Sequence, residues 1–271
     1  MTLVVGAINP HAIEWGPIII HWYGVIIVLG MGLAIYLSSK EAKRNGFGEN
    51  VIEDLILWLI PIGLLGARLY YVLFKWEYYV DNPGKIFAIW EGGLAIYGGL
   101  IAGALTVYLF AKKKNISIWH LLDILAPGVL LAQSIGRWGN FINQEAFGGP
   151  VTRVFLEDLY LPEFIINQMQ INGTYYHPTF LYESLWSLAG FVILLILRRK
   201  PKFLRHGEVL LSYVIWYSAG RFFIEGMRLD SLWIGDFLRV SQGLSLVLFV
   251  SAIVIWFYRR RNSYRLAPYY H

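Results

Sequence analysis

The 271-residue sequence contains no cysteine. That excludes a disulfide framework, a thiolate metal site and a cysteine nucleophile. Any thiol chemistry must use a thiol brought by a substrate. Charge is also scarce: charged residues make up 15% and hydrophobic residues 57%, against about 25% and 45–50% in soluble domains. A globule of this composition has too little polar surface to stay dissolved, so an integral membrane protein is predicted. Linkers, low-complexity tracts and internal repeats are missing, and 1–271 reads as a single polytopic membrane domain. The start, "MTLVVGAINPHAIEWGP", lacks a basic residue before an apolar core, and a secretory signal peptide is not expected there. The six histidines are scattered and no HExxH, GxSxG or P-loop pattern occurs, so no metal, serine-hydrolase or nucleotide site is expected.

Apolar runs are abundant. A helix of roughly 20 apolar residues crosses a hydrocarbon core about 30 Å thick. Seven runs qualify: about Ile18–Leu37, Val51–Phe74, Leu94–Ala111, Leu121–Ile135, Thr179–Leu197, Val209–Ile224 and Val240–Phe257. The predicted fold is all-α, with about seven transmembrane helices. The fourth run is short and ends in a polar stretch, "QSIGRWGNFINQEAFGG". The connection that follows, about 138–178, is the longest. Its Phe155, Leu156, Tyr160, Leu161, Phe164 and Ile165 suit folding at a membrane surface, and loops of this length are usually functional or disordered.

The formal charge is +5, and a basic balance can signal nucleic acid. Distribution decides otherwise. Of the 23 basic residues, Lys40, Lys43, Arg44, Lys112, Lys113, Lys114, Arg198, Arg199, Lys200, Lys202, Arg205, Arg259, Arg260, Arg261 and Arg265 fall in alternate connections or the C-terminus. By the positive-inside rule the N-terminus lies outside, the C-terminus is cytoplasmic, and the long connection is outside. No nucleic acid partner is expected. Trp22, Tyr23, Trp76, Trp90, Trp256 and similar residues cluster at run ends, as an aromatic belt does.

Arg68, Arg137 and Arg221 lie within runs or at their ends. An arginine at the bilayer centre costs about 2.5–3.5 kcal/mol on insertion scales, so each needs a partner or a purpose. Tyr217, Arg221 and Glu225 are spaced i, i+4, i+8 and share a helix face; Arg228 follows on nearly the same face. That is either a self-contained ion pair or an anion site, since one carboxylate cannot satisfy five guanidinium N–H donors. Arg137 and Asn140, at i, i+3, are either a snorkelling cation with a polar loop or part of the same site. Two guanidinium forks near one membrane face suit a lipid phosphate. Gly99 and Gly103 form a GxxxG pair, usual in close helix packing, and Tyr97 is a candidate cavity residue. His177 and Glu183, at i, i+6, do not share a face and make no metal motif.

"IHWYG", "GARLYYVLF", "GGLAIYGGLIAG", "GRWGNFINQEAFG", "HPTFLYE" and "YSAGRFFIEGMR" closely resemble, in order, the signature blocks of the prolipoprotein diacylglyceryl transferase family. The resemblance spans nearly the whole chain. It implies a seven-span transferase of the bacterial cytoplasmic membrane, acting in lipoprotein maturation. Such an enzyme moves the diacylglyceryl group of phosphatidylglycerol onto the lipobox cysteine thiol of a prolipoprotein signal peptide. A thioether forms and glycerol 1-phosphate leaves, with no cofactor. Family functional positions carry over as Tyr23, Arg137, Asn140, Glu145, Gly148, Tyr217, Arg221 and Glu225. Some members place a histidine where this chain has Tyr97, so that side chain is either replaced by a tyrosine or not an obligatory base. Glu145, Glu225, Tyr23 and Tyr97 are the candidates to accept the thiol proton. Arg137, Arg221, Asn140, Gly148 and Tyr97 are the candidates to bind phosphatidylglycerol. The rival reading is a transporter or flippase for an anionic lipid. It predicts two matching halves, which the sequence does not have.

Overall fold

The computed structural model describes residues 8–16, 18–229, 233–234, 238–262 and 269; Arg265 and the first seven residues lie outside these. Ten α-helices occur among the described residues. They are α1 (Trp22–Arg44), α2 (Val51–Phe74), α3 (Trp76–Asp81), α4 (Ile96–Lys113), α5 (Ile118–Ile142), α6 (Arg153–Asp158), α7 (Glu163–Gln168), α8 (Thr179–Leu197), α9 (Glu208–Glu225) and α10 (Val240–Asn262). Five of them, α1, α2, α5, α8 and α10, are long and apolar enough to cross a membrane. The chain is an all-α integral membrane protein, and the strands among the described residues are short, of two to five residues. An antiparallel pair, β1 (His11–Trp15) and β2 (Ile18–His21), precedes α1.

Two of the apolar runs, α2 and α8, begin and end where the sequence places them. The fourth does not. In place of a short span ending near Ile135, α5 continues to Ile142, 25 residues in all. The polar stretch that was expected to begin a loop is therefore the last two turns of a helix. Apolar content falls there because side chains turn toward other polar groups, while the backbone keeps its i→i−4 bonds. A second expectation also changes. Arg228 does not extend the Tyr217–Glu225 face, because α9 ends at Glu225 and Arg228 pairs as an isolated β-bridge with Gly148.

By its internal contacts the chain forms two compact units, Ser38–Leu122, and Met1–Leu37 with Asp123–His271. In the first, α2 packs on α4. The tightest approach is at Gly66 and Gly98, where an added Cβ would meet the partner backbone. The expected Gly99–Gly103 pair is looser, with 3.5 Å to the nearest atom at each.

In the second unit, two reciprocal clasps set helix register. Ser134 of α5 and Ser184 of α8 each donate a hydroxyl to the other's carbonyl, both at 2.9 Å. Trp186 of α8 and Trp216 of α9 each donate an indole N–H to the other's carbonyl, again at 2.9 Å. Their rings stack at 4.4 Å. Each indole lies over a glycine of the facing helix, Trp186 over Gly220 and Trp216 over Gly190, where any Cβ would collide with it. Interhelical bonds of this kind contribute about 0.6–2 kcal/mol each in a bilayer. Their greater consequence is geometric. They lock α5 to α8 and α8 to α9 within a few residues of Arg137, Glu183 and Arg221.

The connection from α5 to α8 folds into a cap of its own. It contains α6, α7 and a three-stranded sheet ordered β3 (Pro150–Val151), β5 (Thr174–Tyr176), β4 (Gln170–Ile171). Leu156, Ile165, Ile166 and Met169 pack against Phe141 and Phe180, so the cap is fastened to both flanking helices. The α5 C-terminus leaves orphan carbonyls, and buried Gln168 satisfies two of them, donating to Phe141 (3.1 Å) and Ile142 (3.0 Å).

Candidate functional site

The centre of the candidate site is a residue the sequence did not single out, Glu183. It lies one turn into α8 and is nearly buried, its side chain 8% exposed. One carboxylate oxygen is 2.5 Å from Arg137 Nη2 of α5. The other is 3.3 Å from Arg221 Nη1 of α9 and 4.0 Å from Arg228 Nη1. Arg221 also pairs with Glu225 one turn on, at 2.5 Å. The helix-face pairing expected from the i, i+4 spacing is thus present, but it is one half of a larger cluster. Arg137, Arg221 and Arg228 all approach Glu183, and Glu225 takes the second salt bridge of Arg221.

These guanidinium groups sit in a place where water is restricted. The Arg137, Arg221 and Arg228 side chains keep only 21%, 16% and 13% of their exposure. Arg137 and Arg221 together carry ten N–H donors, and their partners among the described residues take only part of them. A donor-rich, partly desolvated pair of guanidinium groups has the chemistry to take an anion. Guanidinium forks match phosphate oxygens in pairs.

Asn140 stands one turn beyond Arg137 and faces the same way, its amide oxygen 3.5 Å from Arg137 Nη1. Its amide N–H₂ donates to Glu145 at 2.7 Å, and Glu145 N donates back to the Asn140 carbonyl at 3.0 Å. This small ring fixes the exit of α5 and holds the Glu145 carboxylate at the surface. Tyr23, at the start of α1, lays its ring against Gly139. Tyr217 stacks on Tyr213 at 6.0 Å, and the Tyr213 hydroxyl accepts from Gln133 of α5 at 3.2 Å.

Gly148 is where the cap meets Arg228. It is buried, pairs with Arg228, and donates its N–H to the His177 carbonyl at 3.1 Å. A Cβ there would meet His177 and Thr179 side chains and the Met227 carbonyl. Burial pushes the pKa of the adjacent His177 imidazole below its usual value, favouring the neutral ring. Gly148 therefore acts through backbone packing, holding Arg228 near Glu183. Tyr97 belongs to the other unit, on the first turn of α4, and is 43% exposed. The structure thus brings Arg137, Arg221 and Glu225 together through Glu183, and links Asn140 and Glu145 to that cluster through Arg137. Among the described residues no group of histidines and acids is placed to hold a metal.

Residues 10–258 match the family model described as prolipoprotein diacylglyceryl transferase. The chain is 57% identical to a protein of Halalkalibacterium halodurans over 93% of its own length and 86% of that protein's. It is 56% identical to relatives from Enterococcus faecalis and Listeria monocytogenes, over 96% and 97% of this chain and 94% and 93% of theirs. All three are named phosphatidylglycerol–prolipoprotein diacylglyceryl transferase. The chain belongs to the prolipoprotein diacylglyceryl transferase family.

Proposed function

We propose that this protein is a membrane transferase that moves the diacylglyceryl group of phosphatidylglycerol onto the lipobox cysteine of a prolipoprotein. The observation that carries the mechanism is the cluster of Arg137, Arg221 and Arg228 around one buried carboxylate. In the reaction, the thiolate sulfur attacks the glyceryl carbon that bears the phosphate. The C–S bond forms as the C–O bond breaks, and the electron pair leaves with the phosphate as glycerol 1-phosphate. Negative charge grows on the phosphate oxygens, and Arg137 and Arg221 hold it. Fixed donors in a water-poor site act strongly on such charge and need no reorganisation when it develops. The same positive charge lowers the pKa of an incoming thiol, ordinarily near 8.5. The thiol proton goes to a carboxylate or phenolate, with Glu145, Glu225 and Tyr23 as candidates in this unit and Tyr97 as the candidate that the family resemblance adds. Asn140 orients the headgroup, Tyr217 lines the site, and Gly148 keeps Arg228 in register.

The topology that suits this chemistry has α1, α2, α4, α5, α8, α9 and α10 as seven spans of the bacterial cytoplasmic membrane. The N-terminus and the cap lie outside, where secreted prolipoproteins emerge. Mass spectrometry of a lipobox peptide incubated with the purified protein and phosphatidylglycerol tests the reaction. A diacylglyceryl adduct on cysteine is expected; lipid movement without that adduct would instead establish the flippase reading. Tyr97→Phe removes the phenol alone. Near-normal transfer is expected, since other carboxylates are available as bases, and a collapse of the rate would make Tyr97 the obligatory one.

A further inference from the structure

Arg68 is the third arginine in an apolar helix, and the site above leaves it unused. It lies in α2 and is 6% exposed. Among the described residues its guanidinium has no carboxylate partner. It donates to four backbone carbonyls, those of Ile86 (2.9 Å), Gly92 (2.6 Å), Gly93 (3.0 Å) and Lys85 (2.6 Å). These bonds pin two 3₁₀ turns, Pro83–Phe87 and Ile89–Glu91, to the last turns of α2. Carbonyl dipoles offset a buried cation only in part, because a buried charge is costly until it is both hydrogen-bonded and paired.

Behind this bracket lies a cavity of about 280 Å³, lined by Arg68, Lys75, Lys85, Glu91 and the rings of Tyr71 and Tyr78, among others. Three cations face one carboxylate. Among the described residues Glu91 reaches only Lys85, at 3.6 Å with both groups about half exposed, and such surface pairs contribute little. The hydroxyls of Tyr71 and Tyr78 push the pKa of Lys75 and Lys85 up, so both stay charged. Outside the cavity, Phe74, Trp76, Phe87 and Trp90 are 75%, 56%, 79% and 80% exposed. Exposed aromatic rings at the end of an apolar helix belong at the membrane interface, the depth of phospholipid phosphates. We propose that this cavity is a second anion site, which takes a phosphate group, on a lipid headgroup or free.

The test uses the full chain in detergent, in an Arg137→Ala, Arg221→Ala background that removes both guanidinium groups assigned to the first phosphate. Native mass spectrometry then follows retention of phosphatidylglycerol, with phosphatidylcholine as the neutral comparison. One phosphatidylglycerol is expected to remain bound. Each lysine near an anionic lipid contributes about a factor of five, so K75Q with K85Q weakens retention roughly twenty-five-fold. E91Q acts in the opposite direction and tightens it. Both lysines are exposed, and an unchanged melting temperature shows that the fold is kept. Displacement of the lipid by millimolar inorganic phosphate identifies the free anion as a ligand as well; resistance to it identifies the lipid headgroup as the source. Retention that ignores both the lysine pair and Glu91, or equal retention of phosphatidylcholine, overturns the proposal.

Discussion

Arg137→Ala lowers the rate of diacylglyceryl transfer by about 10²–10³, the usual cost of removing one preorganised donor to a developing oxyanion, while the protein still inserts and folds. Insertion survives because Arg137 is not needed to finish any apolar surface, and Glu183 retains Arg221 at 3.3 Å. The rate falls because the α5 side of the site loses its only guanidinium, and Asn140 loses the neighbour it orients. Arg137→Lys keeps the charge but not the fork, so it recovers part of the rate, since a lysine binds phosphate as a point charge. Transfer from labelled phosphatidylglycerol to a lipobox peptide, with melting temperature measured alongside, reads all three proteins. Full activity in the alanine variant would sink the phosphate role.

The sequence revealed the helices whose ends coincide with the ends of apolar runs. Val51–Phe74 is bounded by Asn50 and Lys75, and Thr179–Leu197 by Pro178 and Arg198, and both helices stop there. α5 reads as shorter in sequence because Gln133, Arg137 and Asn140 break its apolar run. In the fold these residues find partners in other helices and in the loop beyond, so the helix has no reason to end. The same logic divides the site. Arg221–Glu225 was visible because the two residues are a turn apart on one helix. Glu183 was not, because its partners come from other helices; Arg221 is 38 residues away along the chain. A lone acid in an apolar helix carried one usable signal, the insertion cost of burying it. The register that joins them was also out of reach, since a Ser134–Ser184 or Trp186–Trp216 clasp has no local pattern.

Glu183→Gln is expected to destabilise the protein by about 3–5 kcal/mol, the scale for removing one member of a buried ion pair, and toward the lower end because the arginines keep some exposure. The substitution preserves the shape of the side chain. It removes the charge through which Arg137 and Arg221 share a site, and among the described residues Glu225 reaches only Arg221. The variant should therefore gain more from an added anion than the unmodified protein does. In detergent, phosphatidylglycerol raises its melting temperature by a larger increment, because the lipid phosphate supplies the negative charge that the carboxylate no longer provides. Phosphatidylcholine, with no net charge, does so far less. This difference separates two roles for Glu183. If it were packing alone, both lipids would shift both proteins alike. If it holds the guanidinium pair open for phosphate, the anionic lipid rescues the variant selectively, because the lipid headgroup and the Glu183 carboxylate answer the same two guanidinium groups.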